Sequence, residues 1–265
     1  MQDVSFFTAG DGARIAYRYD GRADLPTLVL ANSIGTSLHM WDAQIPALTR
    51  HFRVLRYDYR GHGASSVPQG PYSLDRLGRD VLELLDGLSI ARAHFLGLSL
   101  GGIVGQWLGV HAPERIDRLI LSNTSAYLGP APQWDERIAA TLRAQDMSET
   151  AQTFLRNWFP SSWIEAGHPA LEPFRAVLLG IDKHGLAGAF AAVRDADLRR
   201  TVALIPNPTL VIAGQHDTVT AASHGEQIAA TIPGAKLLTL PAVHMPNIEV
   251  PEAFETAVVE FLLAA

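Results

Sequence analysis

The stretch Ala93-His94-Phe95-Leu96-Gly97-Leu98-Ser99-Leu100-Gly101-Gly102 decides how the rest of the chain is read. Its first four residues are a short apolar run that predicts a buried strand. Gly97-Leu98-Ser99-Leu100-Gly101 follows as a G-x-S-x-G pattern, and helix-favouring residues run from Ile103 to Val110. Strand, sharp turn with a central Ser, then helix is the setting in which this pattern becomes a nucleophile elbow. A strand that reverses at once into a helix crowds its own turn, and residues without Cβ relieve the crowding. Ser99 is then left exposed at the strand's carboxyl end, with a helix N-terminus behind it. Alone, the pentapeptide reads equally well as an ordinary Gly- and Ser-rich turn. Residues elsewhere in the chain decide between the two.

Upstream, Val4 to Thr8 and Ala13 to Tyr19 are β-rich runs joined by Gly10-Asp11-Gly12. Two strands around an Asp-Gly turn predict a hairpin. Thr27 to Ala31 (TLVLA) is a continuous apolar run, typical of a strand covered on both faces. The loop Asn32-Ser33-Ile34-Gly35-Thr36 follows, then helical spacing from Leu38 to Leu48. Phe52 to Tyr57 predicts another strand, ended by the turn Asp58-Tyr59-Arg60-Gly61-His62-Gly63. Leu74, Leu77, Val81, Leu84, Leu85 and Leu88 form a helical stripe. Arg118 to Ser122 (RLILS) is a further buried strand.

From about Ala126 the texture changes. Pro130, Pro132, Pro160, Pro169 and Pro173 punctuate short helical pieces, and no strand pattern returns until Thr209. Thr209 to Ala213 (TLVIA) and Lys236 to Leu240 (KLLTL) are the last two strands. A helix over Ala221 to Thr231 lies between them, and Pro251 to Leu263 closes the chain as a helix with Pro at its start. Strands alternating with helices predict an α/β fold, a mainly parallel eight-stranded sheet flanked by helices and joined by right-handed crossovers. The helical excursion reads as a cap inserted between strands 6 and 7. Residues 1–124 and 202–265 are expected to form the core, and residues 125–201 the cap.

A chain of 265 residues with 48% hydrophobic content has room for one large core, or one domain with an insertion. Its net charge of −6 argues against a sequence-independent nucleic-acid surface, which needs a basic face. There are no cysteines, so disulfides, thiolate nucleophiles and Cys-based metal sites are excluded. Met1 to Val4 lack a basic or apolar leader pattern, and no apolar run reaches the ~18 residues of a spanning helix. A cytoplasmic protein with no signal peptide and no membrane partner is the expectation.

A Ser hydroxyl becomes a useful nucleophile only when a base takes its proton and a third group orients that base. In an open α/β sheet, functional groups gather at the carboxyl ends of strands. Asp217 follows the TLVIA strand in Gly214-Gln215-His216-Asp217, and His244 follows the KLLTL strand in Pro241-Ala242-Val243-His244. The order Ser99, Asp217, His244, each just past a different strand end, is that of a hydrolase triad on this topology. Singly, Asp217 is also a common turn former and His244 one of ten histidines; jointly they make the catalytic reading. His216 is a rival base, but it adjoins Asp217 and its side chain is expected to point elsewhere. His62 is expected to brace its turn and His94 to pack inside its strand. No histidine pair has metalloprotease spacing and no acidic cluster suggests a metal. An oxyanion needs preorganised donors. The backbone N–H of Leu100, directly after the nucleophile, is the first candidate, and by position in the loop after TLVLA the N–H of Ile34 is the second. The Ser33 hydroxyl is a candidate substrate contact, with loop hydrogen bonding as the alternative.

Four motifs together resemble the α/β-hydrolase superfamily: the Ser99 elbow, Asp58-Tyr59-Arg60-Gly61-His62-Gly63-Ala64-Ser65, Gly214-Gln215-His216-Asp217, and the His244 turn. Asn32-Ser33, where such proteins commonly have His-Gly, with Met40-Trp41-Asp42 downstream and Arg56-Tyr57 before the Asp58 turn, is similar to the 3-oxoadipate enol-lactonases. That resemblance implies a cytoplasmic hydrolase of bacterial aromatic degradation, in the protocatechuate branch of the β-ketoadipate pathway. Its substrate would be a small-molecule lactone, and it implies no cofactor. Oligomeric state is left open, a homo-oligomer included.

The cap is expected to close the pocket. Trp134 is the candidate wall residue, while Trp158 and Trp163 are expected to pack the cap's own small core and Trp41 to pack near the oxyanion loop. A substrate carboxylate would need a local positive partner; Arg137, Arg143, Arg156, Arg175 and Arg194 are equivalent at this level. Another carboxylesterase, lactonase, cofactor-free perhydrolase or C–C bond hydrolase would use the same triad. A non-catalytic ligand-binding protein on the same scaffold is the alternative of a different class.

Overall fold

A computed structural model describes residues 4–264. Its eight strands are β1 (Ser5–Thr8), β2 (Arg14–Asp20), β3 (Thr27–Ala31), β4 (Arg53–Tyr57), β5 (Ala93–Leu98), β6 (Ile116–Ser122), β7 (Thr209–Gly214) and β8 (Lys236–Leu240). They form one sheet in the order β1-β2-β4-β3-β5-β6-β7-β8. The β1/β2 and β2/β4 pairs are antiparallel and all later pairs parallel. The near-continuous apolar runs sit in the middle: every residue of β5 and β7 is buried, as parallel strands covered on both faces require. The mostly exposed β1 and β8 form the edges.

Helices cover both faces: α1 (Ile45–Leu48), α2 (Leu74–Gly87) and α3 (Leu100–His111) precede the insertion. Between β6 and β7 lie α4 (Ala131–Arg143), α5 (Ser148–Trp158), α6 (Ser161–Ala166), α7 (Glu172–Gly180) and α8 (Lys183–Asp195). The chain ends with α9 (Ala222–Thr231), α10 (Pro246–Glu249) and α11 (Pro251–Leu263). The helix expected over Leu38 to Leu48 is different in kind: Leu38–Gln44 is a 3-10 helix, and only the last turn is α. Pro46 has no N–H to give to the preceding turn, so the α-type ladder cannot run through it.

Two features position a site. The chain leaves β3 towards β4 on one side and returns to β5 on the other, so the loops after β3 and β5 splay apart at a topological switch point, where open α/β sheets bind ligands. The inserted helices are tied down close to that crevice. Their entry and exit segments pair, with Leu198 N–H donating to the Ala126 carbonyl at 2.8 Å and an antiparallel bridge between Tyr127 and Asp197. The α8 backbone lies against the core, where Tyr72 N–H donates to Gly188 O at 3.1 Å. Among the described residues no single helix is long and apolar enough to cross a membrane.

Candidate active site

The elbow is built by close packing. A Cβ on Gly97 would overlap the Gly101 carbonyl, and one on Gly101 would overlap the Ala31 carbonyl. The strain sits on Ser99 itself, at φ 59° and ψ −114°, a conformation costing about 1–3 kcal/mol for a residue with a side chain. Its surroundings over-determine it: Ser99 N–H donates to Ser122 O at 2.9 Å, and its carbonyl accepts from Thr124 Oγ1 at 2.7 Å and Ile103 N at 3.1 Å.

Asp217 and His244 meet. The Asp217 Oδ2 to His244 Nδ1 distance is 2.7 Å, and both side chains are essentially inaccessible. Asp217 accepts four further hydrogen bonds, from Val219 N (2.8 Å), Thr220 N (3.0 Å), Thr220 Oγ1 (2.8 Å) and Asn123 Nδ2 (2.9 Å). Burial pushes its pKa up, but the His244 charge and these donors outweigh it and hold the carboxyl below its ordinary value. An ionised Asp217 can only accept, so Nδ1 of His244 donates to it and Nε2 is the ring nitrogen left to exchange a proton. Nε2 is buried and has no hydrogen-bond partner among the described residues, so it is open to a group that a base would serve. His216 is exposed, turned away from this pair.

The loop after β3 is held from several sides. Asn32 accepts from Trp41 Nε1 at 2.9 Å, donates to Tyr57 O at 2.8 Å, and its carbonyl takes the Gly101 N–H at 3.1 Å. Gly35 N–H donates to His62 Nε2 at 2.9 Å, so the turn that contains His62 braces the loop. Burial pulls the pKa of His62 down to about 4, which keeps that acceptor lone pair free. Arg60, two residues before, is fixed by a bidentate pair with Asp80 at 2.6 Å per arm. The N–H groups of Ile34 and Leu100 make no hydrogen bond among the described residues.

Ser99, His244, Ile34, Leu100 and Trp134 line one cavity, with Asp217 behind His244. The cavity is tight, about 40 Å³. Leu128, Arg137, Phe154, Trp158 and Phe190 complete most of its wall, so the insertion covers the strand ends. Ser33 does not line it: the residue is wholly buried, its Oγ has no partner among the described residues, and its backbone N–H donates to Met40 Sδ at 3.2 Å. Trp158 also departs from expectation. It packs on Phe154 and Phe174 as a core residue does, and it also forms cavity wall, since α5 ends directly over the site. Trp163 stacks on Phe159 and His168, away from the cavity, and Trp41 is buried against Phe254.

A family model described as the alpha/beta hydrolase fold matches residues 26–166. The chain belongs to the α/β-hydrolase family. A solved structure of a hydrolase from Pseudomonas aeruginosa superposes with a TM-score of 0.98, at 69% identity over 99% of both chains. The 3-oxoadipate enol-lactonase 2 of Acinetobacter baylyi is 42% identical over 95% of this chain and 93% of its own. A relative from Agrobacterium fabrum, provisionally named a carbamate hydrolase, is 31% identical over 92% of this chain and 95% of its own.

In this hydrolase several residues serve the site without any motif to announce them. Asn123 follows β6 and joins Asp217 to the Val243 carbonyl (3.0 Å), bridging the acid loop and the histidine loop. Glu249 of α10 accepts from Val243 N at 3.0 Å and Met245 N at 3.4 Å, the two residues flanking His244. Trp158 O takes the His244 N–H at 3.2 Å, tying the end of α5 to the histidine. An Asn after a strand or a Glu in a short helix carries no sequence signal; only the spatial closeness of the three strand ends could have found them.

Proposed function

We propose that this hydrolase opens a small enol-lactone, 3-oxoadipate enol-lactone, to 3-oxoadipate in bacterial aromatic catabolism, with Ser99 as nucleophile, His244 as base and Asp217 as its orienting acid. The observation that carries the reading is the unpartnered Nε2 of His244, whose other nitrogen is held by an ionised Asp217, on the same cavity wall as a strained Ser99. Likeness to a relative named for this lactone supports the substrate class, and a tight, aromatic-walled cavity suits a small desolvated substrate.

Ser99 Oγ attacks the lactone carbonyl as its proton passes to His244 Nε2. The oxyanion lies between the free N–H groups of Ile34 and Leu100, worth roughly 3–4 kcal/mol per donor in comparable sites. The ring C–O bond breaks, the enol oxygen takes the proton from His244, and the enol tautomerises to the ketone while the acyl group stays on Ser99. Water then attacks the ester, again giving its proton to His244, and the acid leaves as Ser99 recovers its proton.

The test is a product assay with the enol-lactone. Ser99→Ala is expected to lose roughly 1,000-fold or more of kcat while the fold is kept, and the wild type to form an acyl adduct on Ser99. Full activity in Ser99→Ala would remove the nucleophile assignment. The likeness to a provisionally named carbamate hydrolase favours one alternative, cleavage of a carbamate by the same triad. A carbamate turned over much faster than the lactone would favour it.

A further inference from the structure

Arg137 of α4 lines the catalytic cavity without a carboxylate to pair with. No ion pair or side-chain hydrogen bond engages its guanidinium among the described residues. Its neighbours are ring faces instead: the guanidinium carbon lies 4.9 Å from the centroid of Phe190, 5.4 Å from Phe154 and 5.6 Å from Trp134. Such contacts hold a planar cation in place without neutralising it. Burial pulls its pKa down, with no opposing charge among the described residues to offset it. The other insertion arginines that resemble it in sequence have a different fate: Arg194 pairs with Asp135 and Asp195, Arg175 pairs with Glu172, and Arg143 and Arg156 are exposed to solvent.

Its position is equally informative. Arg137, Asn157 and Phe190 line the inner cavity and also an open outer groove of about 500 Å³ between α4 and α5. Asp146 and Glu149 border that groove, yet neither pairs with Arg137. A partly desolvated cation at a mouth, with five N–H donors unused, has its missing partner in a ligand.

We propose that Arg137 is the receptor for a carboxylate on the substrate, seating that anion at the cavity mouth while the reacting carbonyl lies at Ser99. The assignment rests on the lactone reading and gives it a discriminating element. It favours substrates with a carboxylate arm over neutral esters of the same size, since a planar guanidinium matches a carboxylate two bonds at a time.

The experiment compares two lactones of one ring: 3-oxoadipate enol-lactone, and α-angelica lactone, which has a methyl group in place of the carboxymethyl arm. Wild type, Arg137→Met and Arg137→Lys are assayed on both. The ratio of kcat/KM values, charged over neutral, is expected to fall roughly 10- to 100-fold in Arg137→Met, mainly through KM, as loss of a charged contact requires. Arg137→Lys is expected to recover part of it. An equal fall on both lactones, leaving the ratio unchanged, would show that Arg137 only packs the insertion and overturns the proposal. If the wild type opens neither lactone, the substrate reading fails, and Arg137 is read from inhibition of 4-nitrophenyl acetate hydrolysis by pentanoate. Inhibition lost in Arg137→Met supports a carboxylate receptor serving another substrate; equal inhibition of both proteins overturns it.

Discussion

At the scale of single residues, the site depends on groups that never touch the cavity. Asn123 is one of three non-glycine residues with positive φ among the described residues, at 43°. Its amide N–H₂ spans Asp217 Oδ2 and the Val243 carbonyl, so one side chain fixes the acid and the base loop together. Hydrogen bonds to a charged group are worth about 1.5–3 kcal/mol. Asn123→Ala is therefore expected to lower kcat roughly 10- to 100-fold while changing KM by less than about threefold, because Asn123 is absent from the cavity wall. Steady-state kinetics on the lactone would show the split, and a loss carried by KM would contradict it. The placement of Ser99, Asp217 and His244 just past three strand ends is legible in the sequence, because each follows an apolar run in a fixed chain order. Asn123 was not, since Asn in a loop is ordinary turn chemistry. Arg137 could not be told from four other arginines by sequence, because what distinguishes it is its place in space, unpaired on the cavity wall against three aromatic rings.

At the scale of elements, legibility followed burial. The central strands were readable because a strand covered on both faces must be largely apolar: β3, β5 and β7 are, and β6 carries Asp117 and Arg118 only at its half-buried start. The inserted helices were readable as helices but not in their packing. Each divides its apolar face between neighbouring helices and the cavity, so Trp158 can satisfy both at once. One contact fixes how they sit on the core: Gly185 of α8 and Gly61 of the Arg60-Gly61-His62-Gly63 turn meet backbone to backbone. A Cβ on Gly185 would fall 2.6 Å from Gly61 Cα. Backbone cannot swing aside, so Gly185→Ala is expected to push α8 outward and cost about 1–3 kcal/mol. It should also impair turnover, since α8 carries Phe190 and Val193 on the cavity wall. Gly180→Ala, at the end of α7, meets nothing within 4 Å and is expected to be neutral or up to about 1 kcal/mol more stable. Urea denaturation of the two variants checks the contrast, and a neutral Gly185→Ala would mean that α8 is free to slide.

At the scale of the whole molecule, buried His62 and half-buried Glu249 give the stability opposite pH dependences over overlapping ranges. His62 is titratable at 6.5 when unfolded and is pulled down to about 4 by burial. Its neutral ring accepts the Gly35 N–H, so its contribution is complete above pH 6.5 and is lost as pH falls towards 4, on the order of 3 kcal/mol. Glu249 runs the other way. Burial raises it from 4.5 to about 7, against the Val243 and Met245 N–H groups that favour its charge. Its protonated form is preferred in the folded state, so its contribution is complete below pH 4.5 and is lost as pH rises through 7. Glu249 is partly solvated, and its effect is the smaller of the two. The two therefore offset each other in the wild type, and single substitutions uncover them. Measured by urea unfolding between pH 7 and pH 4, His62→Gln is expected to lose less stability on acidification than the wild type. Its amide oxygen still accepts the Gly35 N–H but takes up no proton. Glu249→Gln is expected to lose more, because the gain from protonating Glu249 is gone. If both curves ran parallel to the wild type, neither group would couple its proton to the fold. If they diverged in the reverse sense, the Gly35–His62 link would not be the neutral acceptor that the geometry requires.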